Sequence, residues 1–139
     1  MRRVFVDTGG FVALLVAEDR MHDRAEALFA AASRERWVLV TTNAVVIEPY
    51  SVLLARARDG RRVAIAFLDA IQASAGALIV EPVRADDEAN AAALVRAHQD
   101  KSYSLCDALS FVVMERLAIA EAIAFDRHFR EYGRFTILG

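Results

Sequence analysis

The sequence predicts an α/β fold, a parallel sheet covered by helices on both faces, and three observations carry that expectation. Short apolar runs such as Val4-Phe5-Val6 and Val38-Leu39-Val40 read as strands buried on both faces. Between them lie longer stretches whose apolar residues recur every three or four positions, the period of a helix. Strands alternating with helices imply parallel pairing and crossover connections. The third observation is length: 139 residues, 56% hydrophobic and 26% charged, with no repeat, low-complexity tract or linker. That describes a single domain, 1–139, large enough to bury a core.

Arg3 to Val6 is the first strand, and Asp7-Thr8-Gly9-Gly10 is a polar turn opening an apolar helix, Phe11 to Ala17. At this junction Asp7 either caps the helix or stands at the carboxyl end of a central strand, where open α/β sheets bind ligands. The second helix runs from about His22 to Ser33, with Ala25, Leu28, Phe29 and Ala32 on one face and His22 exposed near its start. Trp37 to Thr41 is the second strand, and Thr42-Asn43 caps a helix from Ala44 towards Arg58. Inside that helix Glu48 interrupts an apolar run, and Pro49 removes a backbone donor, which predicts a bend.

The turn Arg58-Asp59-Gly60-Arg61 leads to a helix from Arg62 to Ala75 with Val63, Phe67 and Ile71 at four-residue spacing, so the two helices form a hairpin. Arg56, Arg58, Arg61 and Arg62 at its tip read as a solvated loop. Ala77 to Glu81 is the third strand, stopped by Pro82. Asp86, Asp87 and Glu88 open the helix Glu88 to His98, where acids suit the positive end of the dipole, and they read as structural. Ser104-x-x-Asp107 fits a capping box for a helix ending near Leu117. Ala122 to Phe125 is the fourth strand, again followed by an acid, Asp126, and Phe135 to Leu138 closes the chain as an edge strand.

Composition narrows the function classes. A net charge of -2 gives no bulk affinity for nucleic acid, so any such role depends on local arginines; 16 of the 17 basic residues are Arg. The single cysteine, Cys106, excludes an intrachain disulfide and reads as a small core residue, and three histidines cannot complete a thiolate zinc site. The longest apolar run, Phe11 to Ala17, is far shorter than the roughly 20 residues a spanning helix needs. Met1-Arg2-Arg3 leads straight into a strand without a signal-peptide region, so a cytoplasmic protein with no membrane association is expected.

Asp7, Glu48, Asp107 and Asp126 lie 41, 59 and 19 residues apart, so only a fold can unite them. In a parallel sheet, strand ends and the first turns of the following helices share one rim. Two carboxylates about 4 Å apart repel by roughly 4 kcal/mol at an effective dielectric near 20, so such a cluster calls for protons or cations. Oxygen donors select hard ions, Mg²⁺ or Mn²⁺, which can activate water and offset charge on a phosphate.

Four pieces in this order, Val4-Phe5-Val6-Asp7-Thr8, Thr41-Thr42-Asn43 leading to Glu48, Ser104-Leu105-Cys106-Asp107, and Phe125-Asp126-Arg127-His128-Phe129, resemble the PIN-domain family, most of all the VapC toxins of type II toxin-antitoxin pairs. The resemblance implies a three-layer α/β/α fold with a central parallel sheet of four to five strands in the order 3-2-1-4-5. It implies that Asp7, Glu48, Asp107 and Asp126 bind Mg²⁺ or Mn²⁺ and that a metal-activated water cleaves RNA. Thr8, Asn43 and Ser104 then orient carboxylates or contact phosphate, and Arg127 and His128 lie where they can touch RNA phosphate. As a toxin it would form a homodimer and bind a small antitoxin over the acidic site. Pro49 after Glu48 and Cys106 before Asp107 depart from the family pattern.

Other classes fit less well. A haloacid-dehalogenase-type phosphatase needs a second Asp two residues after the first, where this chain has Gly9. A dinucleotide-binding domain needs G-x-G-x-x-G, which Gly9-Gly10 does not supply. A receiver domain needs an acid pair after the first strand. The remaining alternative is a PIN-like scaffold that binds RNA or protein without cutting, and the presence of all four acids argues against it.

Overall fold

The computed structural model describes residues 1–74 and 76–139. Its sheet has strands β1 (Arg3–Val6), β2 (Val38–Thr42), β3 (Leu78–Glu81), β4 (Glu121–Ile123) and β5 (Thr136–Leu138), all parallel, in the order β3-β2-β1-β4-β5. The helices are α1 (Thr8–Leu15), α2 (His22–Arg34), α3 (Asn43–Arg56), α4 (Gly60–Gln72), α5 (Ala85–Ala97), α6 (Leu105–Arg116) and α7 (Arg127–Tyr132). Helices α1 to α4 pack among themselves and α5 to α7 likewise, giving the three-layer α/β/α arrangement expected from the sequence.

This order decides where a site can form. From β1 the chain steps outward to β2 and β3, then crosses back to lay β4 on the other side of β1. The crevice between the carboxyl ends of β1 and β4 is therefore the topological switch point of the sheet. The Asp7 amide, just past β1, donates to the Ile123 carbonyl at 3.1 Å, so the two strand ends are locked side by side. Val4, Phe5 and Val6 are fully buried, as are Ala122 and Ile123, because helices cover both faces of these central strands.

Several boundaries differ from the sequence reading. Helix α1 begins at Thr8, inside the Gly-Gly turn, and α4 begins at Gly60 and ends at Gln72; the expected helix end at Ala75 lies outside the described residues. Helix α3 continues through Pro49, which is buried, so packing of its ring holds the helix where the lost donor would weaken it. Strand β4 stops at Ile123, and Ala124 and Phe125 leave the ladder. Helix α7 was not anticipated: six residues, capped by Asp126 and ended by Gly133 at φ 72°, are too few for a periodic pattern. His22 is not free in solvent, since its Nδ1 is 2.8 Å from the Ala13 carbonyl oxygen and ties α2 to α1.

Candidate metal centre and active site

At the switch point lies a cavity of about 570 Å³ lined by Asp7, Glu48, Asp107 and Asp126 together with Thr8, Ser104, Cys106 and His128. All four acids singled out from the sequence face this one space. They arrive from the end of β1, the second turn of α3, the first turn of α6 and the cap of α7.

Asp7 is 4% exposed and holds the N-cap position of α1, yet its side chain makes no capping bond. The capping alternative is thereby set aside. Burial raises its pKa from 3.8 to about 7; the Thr8 amide works against this, and the charges of Asp107, Asp126 and Glu48 add to it. Asp107 does cap: its backbone N–H donates to Ser104 Oγ at 3.0 Å, and its Oδ2 accepts from the Ser104 amide at 3.0 Å. Both readings of this residue hold together, because the capping box fixes the carboxylate that faces the cavity. Burial also raises the Asp107 pKa, against the Ser104 amide. Asp126 Oδ1 accepts from the His128 amide at 2.9 Å, which fixes its rotamer at the cap of α7.

The tightest group, in which ligand atoms of Asp107, Asp126 and His128 fall within 4.8 Å of one another, includes neither Asp7 nor Glu48. Asp7 is buried on the inner side of the cavity, whereas Glu48 is exposed and marks its outer edge. Ser104 lines the cavity, as does Thr8, whose buried Oγ1 has no hydrogen-bond partner. Asn43 is turned to another task, its Oδ1 accepting from the Val83 amide at 3.0 Å, so it ties α3 to the loop before α5. Arg127 stands at the rim, with 74% of its side chain exposed.

Two further residues stand at the cavity. Cys106 is half-buried and packs against the core, as read from the sequence, but it also lines the cavity, and burial pushes its thiol up to about 12, reinforced by Asp7, Glu48 and Asp107. His128 is turned inward: its side chain is 15% exposed, and Nδ1 lies 2.8 Å from Asp107 Oδ2 and 3.1 Å from Asp126 Oδ1. The sequence signal for it was its place two residues after Asp126, the step at which a capping residue meets its own backbone partner.

The donor set suits a hard divalent ion. It offers carboxylate oxygens, one of them on a buried acid with no cation beside it, and an unpartnered hydroxyl. An unneutralised carboxylate as buried as Asp7 is costly, and a cation in the cavity removes that cost.

Comparison with known proteins agrees with this geometry. The PIN domain family profile matches residues 4–135. The 23S rRNA-specific endonuclease VapC20 of Mycobacterium tuberculosis is 38% identical over 130 residues, covering 94% of each chain. The crystal structure of that protein, described as a sarcin-ricin loop cleaving toxin, superposes with a TM-score of 0.84 at 37% identity over 94% of this chain and 95% of that one. VapBC2 of Rickettsia felis, bound to a promoter DNA fragment, has a TM-score of 0.65 at 11% identity, over 97% of this chain and 96% of its own. FitAcB of Neisseria gonorrhoeae has one of 0.64 at 13%, over 98% and 96%. At that identity these two share the fold. With the profile spanning almost the whole chain, and with the sheet order and the rim of acids already in place, the chain belongs to the PIN domain family.

Proposed function

We propose that this protein is an endoribonuclease that hydrolyses RNA phosphodiester bonds with Mg²⁺ or Mn²⁺, and that it is the toxin of a type II toxin-antitoxin pair. The observation that carries the reading is the convergence of Asp7, Glu48, Asp107 and Asp126 on one open cavity at the switch point, with the most buried of them lacking a cation. A scaffold that only binds RNA has no need of such a charge.

Asp7, Asp107 and Asp126 would hold the ion, with Glu48 reaching in from the edge. A divalent ion there supplies a Lewis acid that activates water and offsets charge building on the scissile phosphate. The chain's own groups do the positioning. Ser104 and the α7 turn hold two carboxylates in fixed rotamers, so little reorganisation is needed when substrate arrives. Thr8 Oγ has a hydrogen to give, to a carboxylate or to a phosphate oxygen. Arg127 on one side, and Arg20 and Arg56 among the cavity-lining residues, can receive the flanking phosphates.

The identity to VapC20 makes the sarcin-ricin loop of 23S rRNA the first substrate to try. For the antitoxin, expected over the acidic site, a second, apolar cavity of about 510 Å³ offers a further contact that suits an amphipathic segment; Phe11, Leu14, Phe29, Phe67 and Ile71 are among its lining. Helix α3 also leaves apolar side chains at the surface, with Ile47 69% and Leu54 47% exposed, and these support a homodimer contact. Among the described residues no helix is long and apolar enough to cross a membrane.

The test incubates the protein with that rRNA hairpin and with a mixed RNA pool, in Mg²⁺, in Mn²⁺ and in EDTA, beside Asp7→Asn. Cleavage should require metal and vanish in the variant while its circular dichroism is kept. Undiminished cleavage by Asp7→Asn in Mg²⁺ sinks the assignment.

A further inference from the structure

His128 is the residue at this site to which the proposed reaction gives no task. Its Nδ1 stands 2.8 Å from Asp107 Oδ2 and 3.1 Å from Asp126 Oδ1. Around a six-coordinate ion with bonds of about 2.1 Å, neighbouring ligand atoms are about 3 Å apart, the edge of the octahedron. Both separations match that edge. Among the described residues one other group, His22, Asp23 and Glu26, also brings three donors within 4.8 Å, but His22 Nδ1 is already taken by the Ala13 carbonyl.

The other side of the ring is prepared as well. Nε2 lies 3.1 Å from Ser102 Oγ, and the ring stands edge-on to Tyr103 with centroids 5.7 Å apart. A ligating histidine ordinarily gives its second N–H to such an outer partner, which fixes both tautomer and ring plane. The Ser102 hydroxyl serves either tautomer, donating to Nε2 in one and accepting from it in the other.

Building on the metal-dependent reading above, we infer that His128 is a metal ligand through Nδ1, joining Asp107 and Asp126 in a mixed nitrogen and oxygen set that favours Mn²⁺ over Mg²⁺. Ser102 is its positioning residue. Mg²⁺ is held by oxygen and gives up its waters reluctantly, whereas imidazole suits transition ions. A nitrogen in the set therefore raises affinity for Mn²⁺ and leaves Mg²⁺ behind.

The test uses the full chain carrying ¹⁵N-labelled histidine, with Mn²⁺ as the spectroscopic probe and calorimetric titration of Mn²⁺ and Mg²⁺. Bound Mn²⁺ should show hyperfine coupling to a histidine nitrogen in the wild type, a result that depends on no variant folding. In His128→Asn, which offers an oxygen in place of Nδ1, the coupling should disappear and the Mn²⁺ to Mg²⁺ affinity ratio should fall by about tenfold or more. Ser102→Ala should keep the coupling and bind Mn²⁺ more weakly. Mn²⁺ bound without nitrogen coupling, at an affinity ratio unchanged in His128→Asn, overturns the ligand role and leaves the carboxylate site standing. Failure of the wild type to bind either ion overturns both readings.

Discussion

Asp7 holds a carboxylate where burial and three neighbouring acids oppose its charge, and this gives the metal-free protein an unusual dependence on pH. Its pKa rises from 3.8 to about 7 on folding. Between those values the folded chain keeps a proton that the unfolded chain has released, so stability falls as pH rises from about 4 to about 7 and is level above. A shift of about three units corresponds to roughly 4 kcal/mol. Asp107, also raised, acts in the same direction. Asp87 acts oppositely: hydrogen bonds from Arg116 lower its pKa, so its contribution is lost only as pH drops below the ordinary carboxylate range. Urea unfolding in EDTA should therefore show falling stability from pH 4.5 to 7.5. Asp7→Asn should flatten that slope and be the more stable protein at pH 8, and an unchanged slope would refute the account. Asp7, Asp107 and Asp126 were legible in the sequence because they stand at a strand end or a helix start, places that a parallel sheet gathers on one rim, and Glu48 lies one turn further in. His128 was legible only in part: its place two residues after Asp126 was a local signal, but its contact with Asp107 depends on a rotamer that crosses from α7 to the α6 cap.

At the scale of elements, turns and caps decide how helices meet the sheet. The sequence marked Arg58-Asp59-Gly60-Arg61 as a turn, but the glycine is needed for a reason other than a positive φ, which falls on Asp59 at 55°. A Cβ at Gly60 would stand 2.4 Å from the Leu54 carbonyl oxygen and 2.8 Å from that of Leu53, backbone atoms that cannot turn aside. Gly60→Ala should force α4 away from α3 and lower stability by about 2 kcal/mol in chemical unfolding, despite alanine's better helix propensity. A second junction ties β3, α5 and α6: Arg116 donates to Asp87 at 2.9 and 2.8 Å and to Glu81 at 2.9 Å. Asp86 and Glu88 are exposed, while Asp87 is 1% exposed, so one of three acids read alike from the sequence is a buried partner. Arg116→Leu keeps the alkyl packing and strands that carboxylate. The pair is covered but shallow, so the expected loss is about 2 kcal/mol, below the cost of breaking a fully enclosed pair. The loss should be absent when Asp87 is also replaced by Asn.

For the whole molecule, the alternation of strands and helices announced a parallel sheet, and sheet order followed from the family resemblance, because nothing in one strand's residues names its neighbour. Composition also bears on how RNA would be bound. A chain of net charge -2 cannot attract RNA over its whole surface, so the contact must be local. The arginines at the mouth are few: Arg20 and Arg56 line the cavity and Arg127 follows Asp126 just outside that lining, with Arg56 partly engaged by Asp19 at 3.4 Å and Arg127 by Glu131 at 3.7 Å. Each phosphate neutralised on a single strand contributes a slope of about −0.7 to log K against log salt, so three contacts give about −2. Binding of a single-stranded RNA by Asp7→Asn, measured by anisotropy across KCl concentrations, should show that shallow slope. Replacing Arg127 by Ala should reduce it by about one contact's share. A slope steeper than about −5 would require a basic footprint of seven or more phosphates, far wider than these arginines can form, and would place the RNA on a different face of the protein.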